Sequence, residues 1–153
     1  MLLSKSCVYG LRATLYLASL KSDDFTPIRK MSDNLEISFH FLTKILQILT
    51  GEGLLESFKG PNGGVRLTKT GEEITLLEIV QAIDGDDLFT ECALGLPGCG
   101  IMKPCPLHEK WADTRDNIRS MLESTTLTEL AKRGKKDNLR MTAEGGFEFL
   151  IDD

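Results

Sequence analysis

Cys92, Cys99, Cys105 and His108 fall in one short stretch with the spacing C-x6-C-x5-C-x2-H. Thiolates are soft ligands that select iron–sulfur clusters, zinc or copper(I). A thiol ligates only after losing its proton, so metal or nearby positive charge must favour the thiolate. Between the outer cysteines there is one cation, Lys103, and no carboxylate. Gly95, Gly98 and Gly100 let the backbone wrap an inorganic centre, and Pro104 and Pro106 stiffen the approach to Cys105. Zinc sites usually carry paired C-x2-4-C knuckles, which are absent here. Wider-spaced cysteines suit a cluster better, and His108 is the nearest candidate for a fourth ligand. At Cys105 + 3 it lies one helical turn away if a helix starts there. The other reading of His108 is a solvated residue in the first turn of a helix, and of the cysteines, plain thiols.

The chain that must hold this loop has 153 residues and a net charge of −5. That length suits one domain with a real core. The charge is uneven: residues 1–70 sum to +3 and residues 71–153 to −8. The basic part can face a polyanion while the acidic part stays away from it. No apolar run approaches the ~20 residues that span a bilayer, and the start lacks the pattern of a signal peptide. A cytoplasmic protein with reduced thiols and no membrane partner is therefore expected.

The spacing of Val8, Leu11, Leu15 and Ala18 predicts a first helix over 4–20. Thr26 before Pro27 predicts an N-cap and the start of a short helix running to about Leu35. Ser38 is a candidate N-cap for a third helix, whose Leu42, Ile45, Leu46 and Leu49 form one apolar face. Two short helices joined by a tight turn suggest a helix-turn-helix. Two β-prone runs, 54–58 and 65–68, flank "KGPNGG" and predict a hairpin wing. The alternative is a generic α+β packing unit. Thr75 with Glu78, and Thr126 with Glu129, predict capping boxes for two further helices. Between them a longer helix is expected from about Leu107 to Glu123. Its stripe of Trp111, Ile118, Met121 and Leu122 is expected to need a partner helix. The fold class is mostly α with a small β-hairpin wing. Residues 1–85 form the winged helix-turn-helix domain, 86–106 the cysteine loop, and 107–133 the dimerisation helix with its short follower. Residues 134–153 are expected as a flexible tail.

Four stretches, "SKSCVYGLRATLYLA", "ISFHFLTKILQILTGEGLLESFKGPNGGVRL", "TLLEIVQAIDG" and "CALGLPGCGIMKPCPLHEKW", together resemble the Rrf2 family of winged-helix transcriptional regulators, of the IscR and NsrR type. The resemblance covers roughly residues 4–133. It implies a homodimer held by long C-terminal helices, each subunit offering a winged helix to half of a near-palindromic DNA operator. It also implies an iron–sulfur cluster, 2Fe–2S before 4Fe–4S, on Cys92, Cys99, Cys105 and His108. Six residues separate the first two cysteines where those branches have five. Where NsrR-like members offer a first-helix carboxylate across the dimer, this chain has Val8. Neighbouring Cys7 could serve there, or could be a small buried helix residue.

The side of the third helix away from its apolar face holds Ser38, His40, Phe41, Thr43, Lys44 and Gln47, which could reach base edges or phosphates in a major groove. The resemblance supports Ser38, His40, Phe41 and Thr43 as contacts, and burial is the other reading of Phe41. It also implies that the wing meets DNA through Lys59 and Gly60, with Pro61 and Asn62 shaping the tip. The function expected is cluster-based sensing of iron–sulfur, redox or nitric oxide status by a regulator that is not an enzyme. One alternative keeps DNA binding but uses Cys92, Cys99 and Cys105 as a thiol–disulfide switch. Another is a small iron–sulfur carrier.

Overall fold

In a computed structural model, residues 2–100 and 102–147 are described. The order is α1 (Lys5–Ser19), α2 (Ile28–Leu35), α3 (Phe39–Gly51), β1 (Leu55–Phe58), β2 (Gly64–Leu67), α4 (Leu76–Asp84), α5 (Asp87–Thr90), α6 (His108–Ser124) and α7 (Leu127–Lys136). Helices α2 and α3, with the β1–β2 hairpin after them, make a winged helix-turn-helix. The strands pair antiparallel, with Glu56 opposite Arg66 and Phe58 opposite Gly64.

The turn between α2 and α3 is built by Glu36, whose φ of 57° ends α2 in the left-handed region. Ile37 then drops into the core, and the Ser32 hydroxyl donates to its carbonyl at 2.6 Å. The expected apolar face of α3 is the one buried: Leu42, Ile45, Leu46 and Leu49 are each at most 1% exposed. Each such side chain contributes about 1.5–3 kcal/mol of burial, which is why this helix holds one orientation.

Several local expectations are corrected. Thr26 does not cap α2; Pro27 holds that position, and the Thr26 backbone exchanges bonds of 2.8 and 2.9 Å with Val65, extending the wing sheet. Ser38 stands at the N-cap of α3 but makes no capping bond with its side chain. The Thr75–Glu78 capping box is complete, whereas Thr126 only accepts from the Glu129 amide. The short helix α5 was not anticipated.

Residues 134–153, expected as a flexible tail, are packed over their described part. Helix α7 reaches Lys136, then Arg140 bridges Gly146, and Met141 and Phe147 are buried in the main core. Gly134 makes room for the Phe147 ring, since a Cβ there would sit 2.3 Å from it. Arg12 binds the segment by donating to the Met141 carbonyl at 3.2 Å, while also donating to the Leu35 carbonyl at 2.8 Å. The end of the "FEFLI" run lies outside the described residues.

The α6 stripe was expected to lack any partner within its own chain. Instead Leu122 is buried with Cys7, Leu77, Val80 and Phe89 in a second small core, and Ile118 packs against it. Trp111 is half-buried and its indole donates to the Glu91 carbonyl at 2.9 Å. Of the four residues only Met121 is freely exposed, at 57%.

Candidate cluster and DNA-binding sites

The loop residues meet through α6. His108 begins that helix, and its amide donates to the Cys105 carbonyl at 3.1 Å. The four candidate ligands fall into two pairs. Cys92 Sγ lies 3.5 Å from Cys105 Sγ, and Cys99 Sγ lies 3.4 Å from His108 Nδ1. All four cysteines of the chain are free thiols. Among the described residues no three His, Cys, Asp or Glu converge tightly enough to hold a single metal ion.

The Cys92 thiol is shifted below its ordinary range, first by the Leu96 amide and then by the Leu94 amide. The latter donates to Cys92 Sγ at 3.4 Å. Such N–H groups stabilise a thiolate. Cys7 shows the reverse behaviour. It is wholly buried, and burial, helped by the Asp84 carboxylate, pushes its thiol up to about 12. It sits in the second core, which matches its reading as a buried helix residue.

Arg115 escaped the sequence reading. Its Nη1 donates to Cys99 Sγ at 3.1 Å and to the Glu91 carbonyl at 3.3 Å. Its Nε is buried without a hydrogen-bond partner among the described residues. The signal was available: His108, Trp111 and Arg115 stand at i, i+3 and i+7, one face of a helix.

The expected DNA-reading residues lie on α3, its N-cap and the wing. Ser38 is exposed at the N-cap of α3, His40, Lys44 and Gln47 on the helix itself, and Lys59, Gly60, Pro61 and Asn62 on the wing. Phe41 is half-buried, edge-on to Tyr9 with ring centroids 5.5 Å apart. Thr43 is also half-buried, and its hydroxyl donates to the Phe39 carbonyl at 2.7 Å. Between α3 and the wing runs a groove of about 510 Å³, lined by Phe39, Thr43, Gln47, Phe58 and Lys59 among others. Arg29, also unanticipated, stacks its guanidinium over Phe39 at 4.4 Å beside the start of α3.

A winged helix with an exposed reading helix, and a thiol-bearing loop on a separate helix, define a DNA-binding regulator. Residues 3–133 match the Rrf2 family model, described as iron-dependent transcriptional regulator, and the chain belongs to that family. It is a transcriptional regulator, not an enzyme. IscR of Photorhabdus laumondii is 31% identical over 145 residues, covering 90% of this chain and 88% of that one. NsrR of Shouchella clausii is 32% identical over 133 residues, covering 86% and 88%. Among solved structures, CymR, the global cysteine regulator of B. subtilis, superposes with a TM-score of 0.72 at 26% identity, covering 86% of this chain and 96% of that one. No helix among the described residues is long and apolar enough to cross a membrane.

Proposed function

We propose that this regulator is a cytoplasmic homodimer that reads a near-palindromic operator and senses iron–sulfur, redox or nitric oxide status through a cluster on Cys92, Cys99, Cys105 and His108. The observation that carries the cluster reading is the pairing of the donors. A 2Fe–2S centre asks for two protein ligands on each of two irons, and Cys92/Cys105 with Cys99/His108 supply two pairs. This favours 2Fe–2S over 4Fe–4S. The donor chemistry fits such a group, and so does the buried Arg115 Nε, a donor lacking an acceptor. When bound, the cluster supplies a centre that electrons, oxidants or nitric oxide can alter.

The protein's own part is transmission. Cys105 and His108 join the loop directly to the start of α6. Further along, Leu122 of α6 packs with Leu77 and Val80 of α4, and α4 packs on α3. A shift of the loop therefore has a packed route to the reading helix. A coupling of about 1–3 kcal/mol across it changes operator affinity some five- to 150-fold.

On DNA, the exposed side chains of Ser38 at the α3 N-cap and of His40, Lys44 and Gln47 on α3 would meet the groove, with Phe41 and Thr43 beside them and Lys59 to Asn62 at the wing tip. Gln47→Ala should relax preference at one base pair per half-site by about 1–3 kcal/mol, and Lys59→Ala should weaken all sequences alike. The dimer reading draws on exposed apolar residues of the loop and α6: Leu94, Leu96, Met102, Leu107 and Met121. Anaerobic purification with iron and sulfide analysis, alongside operator titration with and without cluster, tests the whole. A colourless protein without iron would refute the cluster, and equal affinity in both states would refute sensing.

A second reading rests on the 3.5 Å approach of Cys92 and Cys105. In iron-free protein, hydrogen peroxide would take the Cys92 thiolate to the sulfenic acid with release of hydroxide. The Cys105 thiol would then displace water to form the disulfide. Mass spectrometry of peroxide-treated protein tests it through a linked Cys92–Cys105 peptide.

A further inference from the structure

Arg115 is a cation held against the loop by sulfur and a carbonyl, with no carboxylate partner among the described residues. Salt bridges among the described residues include those of Arg66, Lys69 and Lys132 with Glu56, Glu78 and Glu72, and Arg115 makes none there. Its Nη1 donates to Cys99 Sγ at 3.1 Å and to the carbonyl of Glu91, the residue before Cys92, at 3.3 Å. The guanidinium thus ties both cysteine pairs to one turn of α6. Its Nε–H is buried and unmatched. Burying an N–H donor without a partner is unfavourable unless an acceptor arrives. A centre built on thiolates and inorganic sulfide is rich in such acceptors.

We propose that Arg115 is a positioning residue for the cluster, an inference that rests on the cluster reading above. It fixes Cys99 Sγ and the Cys92 end of the loop against α6, and it supplies positive charge and N–H donors to the sulfur-ligated centre. Hydrogen bonds to cluster sulfur stabilise the more negative, reduced state, so Arg115 raises the reduction potential.

The test uses the full chain, purified anaerobically, as wild type, Arg115→Ala and Arg115→Lys. Three quantities are read: reduction potential, the rate of iron loss to a chelator, and far-ultraviolet circular dichroism. Arg115→Ala should lower the potential and speed iron loss about 10–100-fold, as removal of an outer partner does. Arg115→Lys keeps the charge without the fork, so it should restore the potential largely and iron retention only partly. Both variants should keep the helical spectrum. A loaded Arg115→Ala with wild-type potential and wild-type iron loss overturns the proposal. If Arg115→Ala takes up no cluster, Arg115→Lys decides, because wild-type retention in that variant would overturn the role of the fork. A wild-type protein without iron and sulfide overturns the cluster reading itself, and this inference with it.

Discussion

Gly100→Ala offers a way to disturb His108 without removing a single ligand. Gly100 has φ +84°, and a Cβ on it would stand 1.8 Å from His108 Cε1, 2.2 Å from Nε2 and 2.4 Å from Nδ1. Ordinary contact begins near 3.4 Å, so the imidazole must retreat by about 1.6 Å. The ring is the end of a flexible side chain and can swing, so the fold should survive. Its Nδ1, however, leaves Cys99 Sγ. A left-handed alanine also costs roughly 1–2 kcal/mol in the backbone. Gly98→Ala is the matched control: its φ is +68°, and a Cβ there meets nothing within 4 Å. The two variants share the backbone cost, so their difference isolates the displaced histidine. Iron and sulfide content after anaerobic purification, with the rate of loss to a chelator, is the assay. Gly100→Ala should lose cluster well before Gly98→Ala. Equal loading and equal loss in the two would refute a ligand role for His108 in the position described.

Phe147→Ala should destabilise the fold by about 3–5 kcal/mol in urea unfolding, as a wholly packed aromatic does; an unchanged midpoint would return the segment to a loose tail. Met121→Glu should yield monomers with an intact helical spectrum, because Met121 is exposed within the subunit; sedimentation as a dimer would move the interface elsewhere. In iron-free protein at about pH 8, iodoacetamide should modify Cys92 and spare Cys7 until the chain unfolds. The raised Cys7 thiol also makes stability fall as pH climbs from 9.0 toward about 12, since the unfolded chain gives up that proton first; a flat profile would refute the shift.

The reading head was legible because its signals are local. The spacing of Leu42, Ile45, Leu46 and Leu49 marks a helix face whatever surrounds it, and "KGPNGG" between two β-prone runs marks a hairpin. The cysteine spacing was equally plain, but the partition into two pairs depends on how the loop folds back on α6. What escaped were side chains whose meaning is set at long range. Phe147 looks like any residue of a weakly periodic tail until Gly134 opens a place for it. Ile118 and Leu122 look orphaned until α4 and Phe89 come to meet them. Arg115 reads as a solvated helix charge unless it is placed on the same face as His108. Thr26 favours a cap by local chemistry, yet its backbone was claimed by Val65 from the wing.

The packing of α1 against α7 has a consequence for how the protein is made. The first helix leaves the ribosome with Ala13, Tyr16 and Leu17 facing a place that Leu127 will help to fill. Slightly more than a hundred residues separate the end of one helix from the start of the other. At about 5–20 residues per second, translation of that interval takes roughly 5–20 s. Throughout it the nascent chain carries an apolar helix face lacking one of its native neighbours. The DNA-reading unit is encoded ahead of α7, yet its core closes only once α7 has been synthesised.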